Sequence, residues 1–318
     1  MRLIVELSGE HPDLPFAELE VVGTVIDRRP QVAVAECGSP LATRRLSLAH
    51  AVLAYLGESA ADTKSCTAMV RDLGITAEGP FAVRVKKVAG SSMDTTVPDL
   101  ERRIGSIIRG RVSLSDPACE YRAVLSGDRC YFGKVLLQVD RSSYDERRPG
   151  SRAFFHPGVM MPRLARALVN ISLVLPGERL LDPFSGTGGI LLEASLVGAR
   201  ATGSDIDPCM VSGSRENVPG ADFVRADTGF LPFRDASIDA VVTDLPYGQS
   251  SSIVAGSLEG LYFSALSEIR RVLLPGKRAV VVTHRDISGE AAKVLSVKAC
   301  YTQRVHKSLT RRILVLER

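Results

Sequence analysis

Tryptophan is absent, and the six cysteines (Cys37, Cys66, Cys119, Cys130, Cys209, Cys300) are scattered with no CxxC pair. That pattern argues against a zinc site and against a disulfide framework. The five histidines (His11, His50, His156, His284, His306) are equally dispersed, with no ligand spacing among them. Metal catalysis is therefore not expected, and no residue is read as a metal ligand. Cys209 stands at the start of a helical segment without an evident base, so a cysteine nucleophile is not needed. No apolar run approaches the length of a membrane span. The opening Met1–Leu7 has a strand-like apolar core broken by Glu6, too short and too soon charged for a secretory leader. A cytoplasmic location without a membrane partner is the expectation.

The net charge of +4 is small, but its placement is uneven. Residues 1–150 carry 20 basic against 20 acidic side chains, so the excess lies in residues 151–318, with 20 against 16. Three clusters stand out. Residues 84–111 hold Arg84, Lys86, Lys87 and four further arginines against three acids. Residues 141–166 hold six basic groups against two acids, and residues 298–318 hold six, including Arg304, Lys307 and Arg311, against Glu317 alone. Taken singly, each is a solvated face. Together they suit a phosphate backbone, and Arg84, Lys86, Lys87, Arg304, Lys307 and Arg311 are the candidate contacts.

Residues 1–60 read as a small α/β unit: a strand at Arg2–Leu7, helical patterning near Ala17–Val22, a short strand at Val32–Ala35 and a helix at Leu46–Tyr55. Residues 61–140 repeat the mixture. Phe81–Lys87 alternates as a strand, Asp99 is placed to cap a helix through Leu100, Ile104, Ile107 and Ile108, and Tyr121–Leu125 and Cys130–Gln138 flank a Gly127-Asp128 turn as a hairpin. Ser, Arg, Asp and Gly dominate Ser142–Arg152, and 141–160 reads as a linker. Met161–Leu175 is a predicted helix. From Arg179 strands (179–183, 200–205, 222–225, 238–243, 278–283) alternate with helices (190–197, 209–217, 261–274), which predicts an α/β fold with a parallel sheet. Val297–Val305 and Arg311–Leu316 are expected as two antiparallel edge strands.

The first of these strands runs into Asp182-Pro183-Phe184-Ser185-Gly186-Thr187-Gly188-Gly189. Glycines there let a ligand lie against the backbone, and the following helix start favours a carboxylate. The spacing is not that of a dinucleotide site, and Asp182 would repel a pyrophosphate. An ammonium group such as that of S-adenosylmethionine (SAM) suits it. The second strand ends at Asp205-Ile206-Asp207. Asp205 is read as the ligand of a ribose diol and Asp207 as a helix cap. After the third strand, Asp227-Thr228 offers an acceptor for an adenine amino group or simply a polar loop.

The fourth strand ends at Asp244-Leu245-Pro246-Tyr247. The lone pair of a base amino group is conjugated into the ring, so that nitrogen is a poor nucleophile. A carboxylate (Asp244) and the carbonyl of Leu245 or Pro246 can accept its two N–H bonds and free the lone pair. Pro246 fixes the turn, and Tyr247 offers a face on which a flipped base stacks. A four-residue motif of this kind is common by chance, but its place after three matching strand ends is not.

In this order the motifs resemble the class I SAM-dependent amino-methyltransferases, the group with an N/D-P-P-Y motif; Leu245 stands where that group usually has its first proline. Residues 153–170 resemble the segment before the sheet in tRNA guanine-N2 methyltransferases that carry a THUMP domain, where it forms part of the SAM pocket. That implies cofactor roles for Phe155, His156 and Pro157. Residues 61–140 are similar to a THUMP RNA-binding domain in element order and in Val112–Pro117, and Val305–Arg312 resembles the C-terminal hairpin of archaeal enzymes that methylate guanine 10 of tRNA. The resemblance implies a Rossmann-like class I methyltransferase sheet with an antiparallel C-terminal edge over 161–318, preceded by a ferredoxin-like α+β unit (1–60) and a THUMP domain (61–140). It implies N2-methylation of a tRNA guanine with SAM as donor and S-adenosylhomocysteine as product, and in some relatives a small zinc-binding activator as partner. Relatives acting near guanine 6 share these motifs. A non-catalytic RNA-binding protein with the same fold would have no need of Asp244 and Tyr247.

Overall fold

A computed structural model describes residues 1–88, 90–91, 93–247, 258–306 and 309–318. The chain divides into two compact units, Met1–Val139 and Asp140–Arg318.

The first unit runs β1 (Arg2–Leu7), α1 (Leu14–Leu19), β2 (Gly23–Arg29), β3 (Val32–Cys37), β4 (Ala49–Ala60), α2 (Thr63–Asp72), β5 (Phe81–Lys87), α3 (Val97–Ile107), β6 (Cys119–Ser126) and β7 (Arg129–Gln138). All seven strands form one sheet, ordered β2-β3-β1-β4-β7-β6-β5, antiparallel except for the β5–β6 pair. The helix predicted at 46–55 is instead the long strand β4. Ala51, Val52 and Leu53 are all fully buried, because a central strand covered on both faces loses the alternation that marks a half-buried one. Its backbone pairs with β1 on one side and β7 on the other. Residues 1–60 and 61–140 therefore share a sheet. The cap of α3 is Thr96, three residues before the expected Asp99. The Asp99 N–H donates to Thr96 Oγ1 at 3.3 Å and the hydroxyl donates back to Asp99 Oδ2 at 2.9 Å, a reciprocal arrangement of the capping-box kind.

The second unit contains α4 (Ser142–Glu146), α5 (Pro162–Ile171), β8 (Arg179–Asp182), α6 (Gly189–Leu196), β9 (Arg200–Asp205), α7 (Pro208–Asn217), β10 (Asp222–Arg225), β11 (Ile238–Asp244), α8 (Leu258–Val272), β12 (Leu273–Thr283), α9 (Ser288–Ala292), β13 (Ser296–His306) and β14 (Leu309–Glu317). Its sheet is ordered β10-β9-β8-β11-β12-β14-β13. The first five are parallel, and β14 runs antiparallel to both β12 and β13. Of the two C-terminal strands only β13 lies at an edge; β14, predicted beside it as a second edge strand, is inserted between β12 and β13. Strand order reverses between β8 and β11, and in open α/β sheets ligands bind above such a reversal. Helix α5 stops at Ile171, short of the predicted Leu175, because Leu173 takes a left-handed conformation (φ 63°) that ends it. Among the described residues no helix is long and apolar enough to cross a membrane.

Residues 141–160, linker-like in composition, pack with the second unit. Glu193 of α6, fully buried, accepts from Arg147 Nε at 2.9 Å and from Arg166 Nε at 2.8 Å. Replacing Glu193 by Ala strands two guanidinium groups, and removing one partner of a buried ion pair costs about 3–5 kcal/mol. Urea denaturation of Glu193→Ala is expected to show a loss of that order in the transition of the second unit.

Candidate active site

The turn after β8 is held by its glycines. Gly186 (φ 48°) and Gly188 (φ 77°) both occupy the left-handed region, which side chains resist. A Cβ on Gly188 would also lie 3.1 Å from the Val218 side chain. Three bonds then tie the turn to the other strand ends. Thr243 Oγ1, on β11, donates to Asp182 Oδ1 at 2.8 Å; the Gly186 N–H donates to Asp205 Oδ2 on β9 at 3.0 Å; and Thr228 Oγ1, beyond β10, donates to the Pro183 carbonyl at 3.1 Å. Ser185 and Thr187 are buried, and neither hydroxyl has a partner among the described residues.

Carboxylates gather at these strand ends. Asp182 is 1 % exposed, and burial raises its pKa to about 7, with Asp205 and Asp244 pushing the same way. Asp205 is raised by burial too. Asp244 is raised by burial to about 6, against the pull of Arg311 and the Tyr247 hydroxyl. A site that holds three acids above their ordinary range attracts a cation. Asp207 does cap α7, accepting from the Cys209 N–H at 2.8 Å. Asp227 accepts from the Gly229 N–H at 2.9 Å.

The Asp244–Tyr247 turn is fixed from several sides. The Leu245 N–H donates to the Val282 carbonyl at 2.9 Å, which carries the β11–β12 ladder one residue further. A proline there would lack that donor. The Leu245 side chain is 1 % exposed and packs in the core beside Tyr262, so only its backbone is free to face a base. Tyr262 of α8 donates its hydroxyl to the Pro246 carbonyl at 2.7 Å. Tyr247 donates to Asp244 Oδ1 at 2.9 Å and accepts from Arg311 Nε at 3.2 Å. Its ring lies 5.1 Å from that of His284, tilted by 52°.

Asp182, Pro183, Ser185, Gly186, Thr187, Gly188, Asp205, Asp227, Thr228 and Asp244 through Tyr247 thus converge at the carboxyl ends of the strands. Other expectations shift. Phe155, His156 and Pro157 are exposed, as is Ile206 at 41 %. The neighbouring Phe154 is the aromatic that docks: its N–H donates to Asn217 Oδ1 at 3.0 Å, its carbonyl accepts from Asn217 Nδ2 at 2.8 Å, and its ring fills the space left by Gly213. Asn217 also donates to the Thr187 carbonyl at 2.9 Å. Sequence reasoning missed Phe154, Asn217, Thr243 and Tyr262, as well as Arg152, whose terminal guanidinium nitrogens are buried beside Gly189 without a partner. Of the candidate RNA contacts, Lys86, Lys87 and Arg304 are exposed, while Arg84 is partly buried and donates to the Leu114 carbonyl at 3.0 Å. Arg311 is a correction: it is 8 % exposed and turned onto Tyr247. Lys307 lies outside the described residues.

Residues 149–313 match the UPF0020 family, described as RMKL-like, methyltransferase domain, and the chain belongs to that family. It is a SAM-dependent methyltransferase. It is 38 % identical, over the full length of both chains, to the tRNA (guanine(10)-N2)-dimethyltransferase of Methanothermobacter thermautotrophicus. It is 31 % identical, over 98 % of each chain, to the enzyme of the same name from Pyrococcus abyssi. The crystal structure of TrmN from Thermus thermophilus superposes along both whole chains with a TM-score of 0.58 at 22 % identity, which bears on the fold.

Acids raised by burial make stability depend on pH. Between the unfolded value near 4 and the folded value of about 7 the folded state binds the Asp182 proton more tightly, so stability falls as pH rises through that window. Asp182→Asn removes the effect while keeping an acceptor for Thr243. At pH 8 the variant is expected to be more stable than the parent by up to about 4 kcal/mol, and at pH 4 to show little difference; urea denaturation at the two pH values reads this.

Proposed function

We propose that this chain transfers methyl groups from SAM to the exocyclic N2 of a guanine in tRNA, with guanine 10 as the target. The observation that carries the reading is the Asp244–Tyr247 turn, set at the end of the fourth parallel strand beside the strand-end carboxylates. Position 10 is favoured because relatives aligned along nearly all of this chain are named for it, whereas the guanine-6 enzyme of Thermus thermophilus aligns with 65 % of it.

The residues present fit the cofactor. Unpartnered Ser185 and Thr187 hydroxyls and the buried Arg152 nitrogens beside the start of α6 are donors suited to a carboxylate. Asp182 would face the ammonium of bound SAM, Asp205 the ribose diol, and the Asp227-Thr228 segment the adenine. Bound SAM supplies an activated methyl group on a sulfonium. The chain's task is then to hold the amine. Asp244 accepts one N–H of the guanine amino group, and the Leu245 carbonyl accepts the other, since Tyr262 already engages that of Pro246. Loss of conjugation directs the nitrogen lone pair at the methyl group, and alignment with electrostatics completes the catalysis. Tyr247 offers its ring for the flipped base to stack on. We assign the first unit, THUMP-like in its second half, to holding the tRNA, with Lys86 and Lys87 against phosphates; Arg304 of the second unit is a separate phosphate contact.

Purified protein, SAM and a tRNA transcript, with and without a small zinc-binding activator, are expected to give methylguanosine at position 10 by nucleotide-resolved mass spectrometry, the same digest counting one methyl or two. Asp244→Ala should lower the rate by about a hundredfold or more. Label appearing only in DNA or protein, or an unchanged rate in the variant, would falsify the reading.

A further inference from the structure

Arg311 is the basic residue whose position the RNA-contact reading does not explain. It lies on β14, opposite Gln303 of β13, and is 8 % exposed. Its Nε–H points at the Tyr247 hydroxyl at 3.2 Å, and that hydroxyl points at Asp244 Oδ1 at 2.9 Å. The hydroxyl has one proton and two lone pairs. With a guanidinium donating to it, its own proton is directed to the carboxylate.

On the functional reading above, we infer that Arg311 is a positioning residue for methyl transfer, acting through Tyr247 to keep Asp244 ionised and turned so that Oδ2 meets the guanine amine. Three consequences follow from the geometry. The Tyr247 ring is held at its hydroxyl end by Arg311, with the ring of His284 5.1 Å away and tilted by 52°. Oδ1 of Asp244 is occupied by the phenol, so the amine falls to Oδ2. The charge of Asp244 is balanced from β14. The titratable and charged groups around Asp244 are Asp182 on β8, Tyr247 in the turn, Tyr262 on α8, His284 and Arg285 after β12, and Arg311 on β14. Of these, Arg311 supplies the cation that favours the charged carboxylate, and Tyr247 the hydrogen bond. A protonated Asp244 has lost the charge that draws the amine proton, so the catalytic form is the ionised one, and loss of Arg311 moves its titration to higher pH.

The experiment uses the full chain and the variants Arg311→Met, Arg311→Lys, Tyr247→Phe and the double variant Arg311→Met/Tyr247→Phe. Calorimetric titration with SAM confirms that each folds a working cofactor site. In tRNA methylation, Arg311→Met is expected to lower kcat about tenfold or more with little change in the KM for tRNA, and to move the acid limb of the pH profile up by about one unit. Arg311→Lys, which keeps the charge, should hold the limb close to that of the parent. Adding Arg311→Met to Tyr247→Phe should cost clearly less than it does alone, because the two act through one bond. A raised KM for tRNA with kcat and the acid limb unchanged would mark Arg311 as a phosphate contact and overturn the inference. So would full additivity in the double variant. Titration of the aspartate side chains by carbon NMR, with Asp244→Asn to assign the resonance, tests the link without a substrate: Asp244 should titrate higher in Arg311→Met. If the parent protein fails to methylate tRNA, the functional reading falls, and that titration still decides whether Arg311 governs Asp244. If Arg311→Met does not fold, Tyr247→Phe reads the same link.

Discussion

Thr243 donates its hydroxyl to Asp182 in the interior of the second unit, and that bond joins the two strands between which the order of the sheet reverses. A carboxylate in so dry a place is costly without donors. Its donors, the Thr243 hydroxyl and the Phe184 N–H, come from the neighbouring strand and from the turn itself. The turn is thereby fixed in height relative to β11, and so is everything β11 carries. Asp205 repeats the device on the other side through Gly186, and the Pro183 carbonyl closes the set through Thr228. Cofactor and acceptor sites are separate stretches of chain, but they share one hydrogen-bonded floor.

The acidity of that floor has a functional side. Burial raises the proton affinity of Asp182, Asp205 and Asp244, and a nearby cation favours the charged form of each. The sulfonium and ammonium of SAM are positive groups that suit such a floor. Asp244, raised by its own burial, has Arg311 as the cation that favours its charged form. Strand β14 is thus more than a filler between β12 and β13, since it delivers the counter-charge to the far end of the motif.

The parallel sheet was legible in the sequence because each strand ends on a chemically distinctive residue: Asp182, Asp205, Asp227 just past β10, and Asp244. These positions combine a local pattern with a functional demand, and both point the same way. Strand β4 was misread as a helix because its burial on both faces is a tertiary property, set by β1 and β7, and leaves a continuous apolar run. Arg311 was misread because composition sees a basic cluster and not which member turns inward; the alternation along β14 puts Arg311 on the buried side and leaves Arg312 partly exposed. Phe154 and Phe155 are adjacent, and nothing local says which one meets Gly213 of α7. Thr243 and Tyr262 carry no motif at all, and their value comes from distances between elements far apart in sequence.

Leu245 has a consequence that concerns temperature. A proline ring restricts the backbone equally in the cold and in the heat, and restricts the unfolded chain as well. The turn here is held instead by the Leu245 bond to Val282 and the Tyr262 bond to Pro246, which act only while they are made and weaken together as thermal motion grows. Rigidity of the acceptor turn is therefore a property of the folded packing around it, supplied by β12 and α8.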